Sequence, residues 1–219
     1  MSISWLKGHG TRNDFVLLPD PDGSLLDLGS PWGQHVVRLL CDRHEGLGAD
    51  GVLRVVRTKA VRDAAAVADQ AEWFMDYRNA DGSVAEMCGN GIRVFVRYLH
   101  EGGLVGADDP VLVATRGGVR RVDLGSDGQL TVEMGRAEPL RTDDELLVDT
   151  TAGPRPAVGI ALPNPHAVVF VDDLAQAGPL TAPPGVLPEG AFPDGVNVEF
   201  VVRVAERHIA MRVHERGVG

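Results

Sequence analysis

The apolar positions along this chain fall mostly in short runs that read as strands, and they follow a clear helical pattern from Gly89 to Glu101. A first strand is expected at Asp14-Phe15-Val16-Leu17-Leu18, followed by the turn-rich Pro19-Asp20-Pro21-Asp22-Gly23. A helix is expected from Pro31 to about Asp42, with Ser30 as N-cap and Pro31 at the first helical position. The glycine-punctuated loop "DRHEGLGADG" leads into a strand, "VLRVV", and the Ala-rich residues 59–71 read as a short helix or a variable surface insertion. "EWFMDYRNADGS" reads as a strand running into a turn at Asn79-Ala80-Asp81-Gly82. From Gly89 to Glu101, Ile92, Phe95, Val96 and Leu99 share one helical face, and Val94 and Tyr98 add apolar surface elsewhere. That helix is therefore expected to be largely buried, ending at Gly102-Gly103. Short strands follow: "VLVAT", "GVRRVDL", "QLTVEM", "AVGIAL", "HAVVFV", "VNVEFVVRV" and "HIAMRVHE". The Pro/Gly-rich residues 176–195 are expected to be irregular. Many short strands around few helices give an α+β class, and the Gly125-Ser126-Asp127-Gly128 turn divides the chain into halves, 1–125 and 126–219.

Charge and composition narrow the partners. A net charge of −10 argues against nucleic acid and anionic membrane surfaces, which need concentrated positive charge. No apolar run approaches the roughly 18 residues of a membrane span, and the N-terminus has no basic-then-apolar signal-peptide pattern. Cys41 and Cys88 are the two cysteines, which fits a reducing cytoplasm better than a disulfide framework. Without paired CxxC or HExxH spacing, no metal site is expected. The two lysines, Lys7 and Lys59, lie outside any phosphate-binding context, which argues against pyridoxal phosphate.

Candidate chemistry gathers in a few motifs. In "EMCGNGIRV", Cys88 falls at the N-cap of the buried helix, where unpaired N–H groups and the dipole favour a thiolate. Free cysteines are also commonly inert core residues, so both readings stand for Cys88; Cys41, mid-helix beside leucines, keeps the inert one. Gly89-Asn90-Gly91 is poor helix-forming sequence, and its backbone could receive a carboxylate. The five asparagines, Asn13, Asn79, Asn90, Asn164 and Asn197, all sit in compact turn-like contexts. Each alone reads as a turn residue; as a set, their amides suit a zwitterionic ligand. His166, in "NPH", caps a strand or serves as base to a thiol. Glu215-Arg216, before the glycine pair Gly217 and Gly219, reads as a solvated pair or as a carboxylate clamp.

Taken together, "GTRNDF", "DRHEGLGADG", "YRNADGSVAEMCGNGIRV", "PNPH", "FPDGVNVEF" and "RVHERGVG" resemble diaminopimelate epimerase, in that order over residues 7 to 219. The resemblance implies two pseudo-symmetric halves, each of antiparallel strands wrapped around a central helix, with the active site in the cleft between them. It implies a cytoplasmic homodimer without a cofactor. The reaction it implies interconverts LL- and meso-diaminopimelate, for lysine and cell-wall precursors. By motif, Cys88 is one of two acid/base thiols, and backbone N–H groups of Gly89 and Asn90 hold the reacting carboxylate. Asn13 shapes the site; Asn79, Asn164, Asn197 and Arg216 recognise the distal carboxylate; Glu215 lies near the distal ammonium. His166 and Glu215 tune the thiols. No cofactor delocalises the carbanion, so preorganised electrostatics must carry much of the catalysis.

Two departures from the family pattern stand out. Gly51 occupies a place where many members carry Gln, a possible substrate contact. The second cysteine motif and its helix, which follow "ERGVG" in the family, do not occur in these residues. The expectation is therefore a C-terminal half that is incomplete, exposes apolar surface and supports no two-base inversion. The alternatives are a proline-racemase-like enzyme and a catalytically dead amino-acid-binding module.

Overall fold

Strands β1 (Leu6–Gly10), β2 (Asn13–Pro19), β3 (Gly51–Arg57), β4 (Trp73–Asn79), β5 (Val111–Thr115), β6 (Gly118–Leu124) and β7 (Leu130–Val132) form one sheet in chain order. The computed structural model describes residues 3–106, 109–140, 145–162, 164–193 and 195–216, and the chain divides into two units, Met1–Met134 and Gly135–Gly219. In the first unit, helix α1 (Pro31–Cys41) links β2 to β3 and α2 (Gly89–Glu101) links β4 to β5. These crossovers make β2/β3 and β4/β5 parallel pairs; the other neighbours are antiparallel. The Gly125–Gly128 turn joins β6 to β7.

Alternation along the strands sorts the side chains between two helices. Phe15, Leu17, Leu53, Val55, Met75 and Tyr77 face α2, which buries Ile92, Phe95, Val96 and Leu99 against them. Val16, Leu18 and Val52 form the opposite cluster with Val37 and Cys41 of α1. The α1 cap is as expected: the Ser30 hydroxyl accepts the Gly33 N–H at 3.0 Å. Strand β1 was not expected, because two of its five residues are glycines. Those glycines admit α2: a Cβ on Gly8 would lie 2.8 Å from Val94, and one on Gly10 2.8 Å from the Asn90 carbonyl. Residues 59–71, read as a short helix or a surface insertion, take the short-helix form, as 3-10 rather than α-helix. Thr58–Ala60 and Arg62–Val67 are 3-10 turns separated by the extended Val61, and Val61 and Ala64 are buried beside Val56, Phe74 and Ala114.

A charged cluster is buried on the side of the sheet away from α2. Asp76, fully buried, accepts from Arg54 Nε at 3.0 Å, Arg78 Nε at 3.1 Å and Arg116 Nη1 at 2.8 Å. Arg54 also reaches Asp20 at 3.3 Å and the Leu26 carbonyl at 2.8 Å.

The second unit contains β8 (Glu138–Pro139), β9 (Leu147–Val148), β10 (Arg155–Leu162), β11 (Asn164–Phe170), β12 (Val186–Leu187), β13 (Asn197–Ala205) and β14 (His208–His214). Its sheet runs β12-β9-β10-β11-β13-β14, with β8 also on β10. The described residues of 176–195 are largely irregular, as expected, apart from the end of the 3-10 helix Leu174–Ala177 and the two-residue β12. The units repeat one pattern: β10, β11, β13 and β14 pair antiparallel, parallel and antiparallel, as β1, β2, β3 and β4 do. Both sheets are thus mixed rather than purely antiparallel, since each parallel pair needs a long crossover. Leu146, Val148, Ala167, Val169, Val198 and Phe200 form the core of the second unit on one face. The opposite face is the counterpart of the one α2 covers in the first unit. It leaves Val158, Phe170, Ile209 and Met211 exposed at 53%, 52%, 54% and 56%. Among the described residues of this unit there is no α-helix.

Candidate active site

Topology gathers the predicted residues of the first unit at one end of its sheet. Asn13 begins β2, and Gly51 begins its parallel neighbour β3. Asn79 ends the antiparallel β4 directly opposite Gly51. Further along the chain, Cys88 caps α2. Its half-buried sulfur accepts the Gly91 N–H at 3.3 Å, and its thiol donates to Asn13 Oδ1 at 3.8 Å. Gly89 and Asn90, the first helical residues, carry N–H groups that a helix leaves without internal partners. An acidic oxygen placed there would receive backbone donors and the positive end of the dipole.

The glycines of this motif have separable reasons. A Cβ on Gly91 would lie 3.3 Å from Leu53 and 3.5 Å from Phe15, so Gly91 lets the helix settle onto the sheet. At Gly89 the nearest neighbours are Met134 atoms at an ordinary 3.4 Å, so packing does not demand a glycine there. Gly51 has a steric explanation: a Cβ would lie 2.5 Å from the Arg78 carbonyl and 2.6 Å from the Tyr77 ring. This packing has no room for a glutamine side chain.

Sequence reasoning overlooked Asp50, which fixes the Asn13 amide. Asp50 Oδ2 accepts from Asn13 Nδ2 at 2.7 Å and from the Asp14 N–H at 2.9 Å, and Arg43 holds Oδ1 at 2.7 Å. With its N–H2 committed to Asp50, Asn13 presents its carbonyl oxygen to Cys88. Arg43 and then Lys7 also hold the neighbouring Asp14 carboxyl well below the usual carboxylate range. The available signal was the "GADG" motif itself. Asn79 Nδ2 donates to Ser83 Oγ at 3.0 Å, within its own turn. Asn90 Oδ1 accepts from Arg93 at 3.4 Å.

Cys41 lies across the sheet from Cys88, at the end of α1. Burial pushes its thiol up to about 12. At about pH 8 its thiolate is scarce, since an ordinary thiol titrates near 8.5. Iodoacetamide is therefore expected to place one carbamidomethyl group on Cys88 and to spare Cys41 until the fold is lost. Peptide mass mapping checks this, and faster labelling of Cys41 would contradict it.

The second unit gathers its residues in the same way. Parallel β11 and β13 begin together, with His166 in register with Asn197, and antiparallel β14 ends there, leading to Glu215 and Arg216. His166 Nδ1 lies 2.7 Å from Glu199 Oε1, and its Nε2 lies 3.1 Å from Asn164 Oδ1. The buried Asn197 accepts the Arg216 backbone N–H at 2.8 Å. The Arg216 stem packs on Gly195, where φ is +81° and a Cβ would lie 3.1 Å from it. Glu215 and Arg216 are exposed; Gly217 and Gly219 lie outside the described residues. Glu199, in "VNVEF", is the second overlooked partner.

A strand-wrapped helix with a thiol at its start is the defining feature of the first unit's fold. A solved structure of a probable proline racemase from Agrobacterium radiobacter shares the chain's fold at a TM-score of 0.67 and 17% identity, covering 97% of this chain and 70% of that one. Within that fold class, the family model of diaminopimelate epimerase matches residues 5–140 and 159–219, and the chain belongs to the diaminopimelate epimerase family. Diaminopimelate epimerase of Streptomyces coelicolor is 56% identical over 219 residues, which are 99% of this chain and 72% of the relative. That of Thermobifida fusca is 54% identical over 219 residues, covering 98% and 76%.

Proposed function

We propose that this chain acts on diaminopimelate, with Cys88 exchanging the proton of the α-carbon in the interconversion of the LL and meso forms. The observation that carries this reading is the setting of Cys88 in a chain of this family. A half-buried sulfur receives a helix N-terminal N–H and faces an amide oxygen that Asp50 holds in place. Thiol and thiolate are both accommodated, as an acid/base group requires. The N–H groups of Gly89 and Asn90 would hold the reacting carboxylate and stabilise the charge that spreads onto it as the proton leaves. Asn79, Asn164, Asn197 and Arg216 would take the distal carboxylate, and Glu215 the distal ammonium. His166 would act on the thiol chemistry together with Glu215.

No cofactor enters this scheme. We place the protein in the cytoplasm, in lysine and peptidoglycan precursor synthesis, as a homodimer. Both cysteines being free supports the reducing compartment. No helix among the described residues is long and apolar enough to cross a membrane. Light scattering on a sizing column tests the dimer.

Inversion needs a second acid on the opposite face of the α-carbon. Within a polypeptide of these 219 residues the other thiol is Cys41, buried across the sheet. Such a polypeptide, its mass verified, is expected to incorporate solvent deuterium into one of the two isomers, with retention and without inversion. Normal inversion would overturn the one-thiol account. Binding without exchange would indicate a binding module, and exchange into proline but not diaminopimelate would indicate a proline racemase.

A further inference from the structure

The repeat between the two units isolates one side chain that packing does not explain. Matching the registers, His166 takes the place of Phe15, Asn197 that of Gly51, and Glu199 that of Leu53. The first unit thus has an apolar pair, Phe15 and Leu53, both fully buried. The second unit has an imidazole and a carboxylate 2.7 Å apart, their side chains 23% and 14% exposed. A carboxylate among apolar neighbours is costly unless fully paired. Glu199 is only half paired: among the described residues, its buried Oε2 has no hydrogen-bond partner. Leu53 shows that an apolar residue occupies the equivalent place in the first unit, so the repeat itself does not require a carboxylate there.

The ring contacts give it a use. Glu199 Oε1 lies at Nδ1 and Asn164 Oδ1 at Nε2, so both ring nitrogens face acceptors. With its oxygen held by His166, Asn164 directs its N–H2 away from the ring. On the same face of the sheet, β10 brings Val158 and Ile160. Strand β13 brings Val201 and the exposed Arg203, which lies over Phe170. Strand β14 brings Met211 and Val213, with Glu215 beyond its end. Among the described residues, Glu199 is the charged group paired with the ring.

We propose that Glu199 is a positioning residue that, through His166, turns the Asn164 amide N–H2 toward a ligand carboxylate. This deepens the reading of Asn164 as a contact of the distal carboxylate and rests on it.

The test is nitrogen-15 NMR of the free protein at neutral pH, paired with calorimetric titration of diaminopimelate. In the parent chain the Asn164 side-chain amide is expected to give one fixed pair of proton signals, set by the contact of its oxygen with the His166 ring. Glu199→Leu, which copies the first unit's Leu53, is expected to shift the Asn164 side-chain amide signals. It should keep the unfolding midpoint and weaken diaminopimelate binding at least tenfold. Glu199→Gln, which can still accept from Nδ1, should recover part of the affinity and serves if the leucine variant does not fold. An Asn164 amide signal indifferent to Glu199 would overturn the relay. Failure of the parent chain to bind diaminopimelate would instead overturn the proposed substrate, which the free-protein spectra do not involve.

Discussion

Replacing Cys88 with alanine is expected to lower α-deuterium exchange into diaminopimelate to the uncatalysed background. A positioned acid/base group contributes about 10² to 10⁴ in rate. Cys88 is also the thiol that meets both the helix N-terminus and Asn13, so the loss should lie at the upper end. Cys88→Ser keeps an N-cap acceptor for the Gly91 N–H but supplies a far weaker acid, so exchange should stay nearly as low. Stability should fall little in either variant, since losing a cap costs about 1 kcal/mol. Diaminopimelate should still bind, because the Gly89 and Asn90 N–H groups remain. Cys41→Ala is the matched control, with exchange within about twofold of the parent. Mass spectrometry of recovered diaminopimelate gives the rates. Exchange surviving in Cys88→Ala would move the acid/base role to another side chain.

What was legible in the sequence follows from where local patterning and tertiary packing agree. Helix α2 was readable to its ends because its apolar spacing, the Cys88 cap and Gly102-Gly103 all coincide. The long central strands of the first unit were readable because burial on both faces leaves runs such as Phe15-Val16-Leu17-Leu18 between turn signals. The short or glycine-rich strands were not. Strand β1 is hidden by glycines whose reason is the approach of α2, and β8, β9 and β12 are two residues each. The short-helix reading of residues 59–71 holds as two 3-10 helices rather than one α-helix, because the extended Val61 interrupts the run and packing fixes both turns.

At the site, residue types with rare chemistry were legible and their partners were not. Cys88 and His166 stand out in a chain with two cysteines and seven histidines. Asp50 and Glu199 do not, among 31 acidic residues. Their roles depend on strand register, which aligns Asp14 near Asp50 and His166 beside Glu199. Register is set by whole-sheet pairing, so no local pattern reveals it. The same registers expose the correspondence of Phe15 and Leu53 with His166 and Glu199, which no motif suggests.

The largest stability effect is expected at Asp76, far from the thiol in chemical role. Three guanidiniums converge on this one fully buried carboxylate. Asp76→Asn removes its charge and leaves those of Arg54, Arg78 and Arg116, with Asp20 as the remaining anion on Arg54. Breaking a buried pair by removing one partner costs about 3–5 kcal/mol, because a charge stays buried without compensation. Against the roughly 5–15 kcal/mol that holds a domain folded, this should lower the urea midpoint of the first unit severely or prevent folding. Asp123→Asn is the contrast: its pairing with Arg121 is solvent-exposed, and the midpoint should not move within error. Replacing Arg54 and Asp76 together by apolar residues should recover part of the loss, since a well-packed apolar pair can substitute for a buried ion pair. Equal midpoints for Asp76→Asn and Asp123→Asn would mean that water reaches the cluster and screens it. Asp76 would then be a solvated surface charge rather than the anchor of β3 and β4.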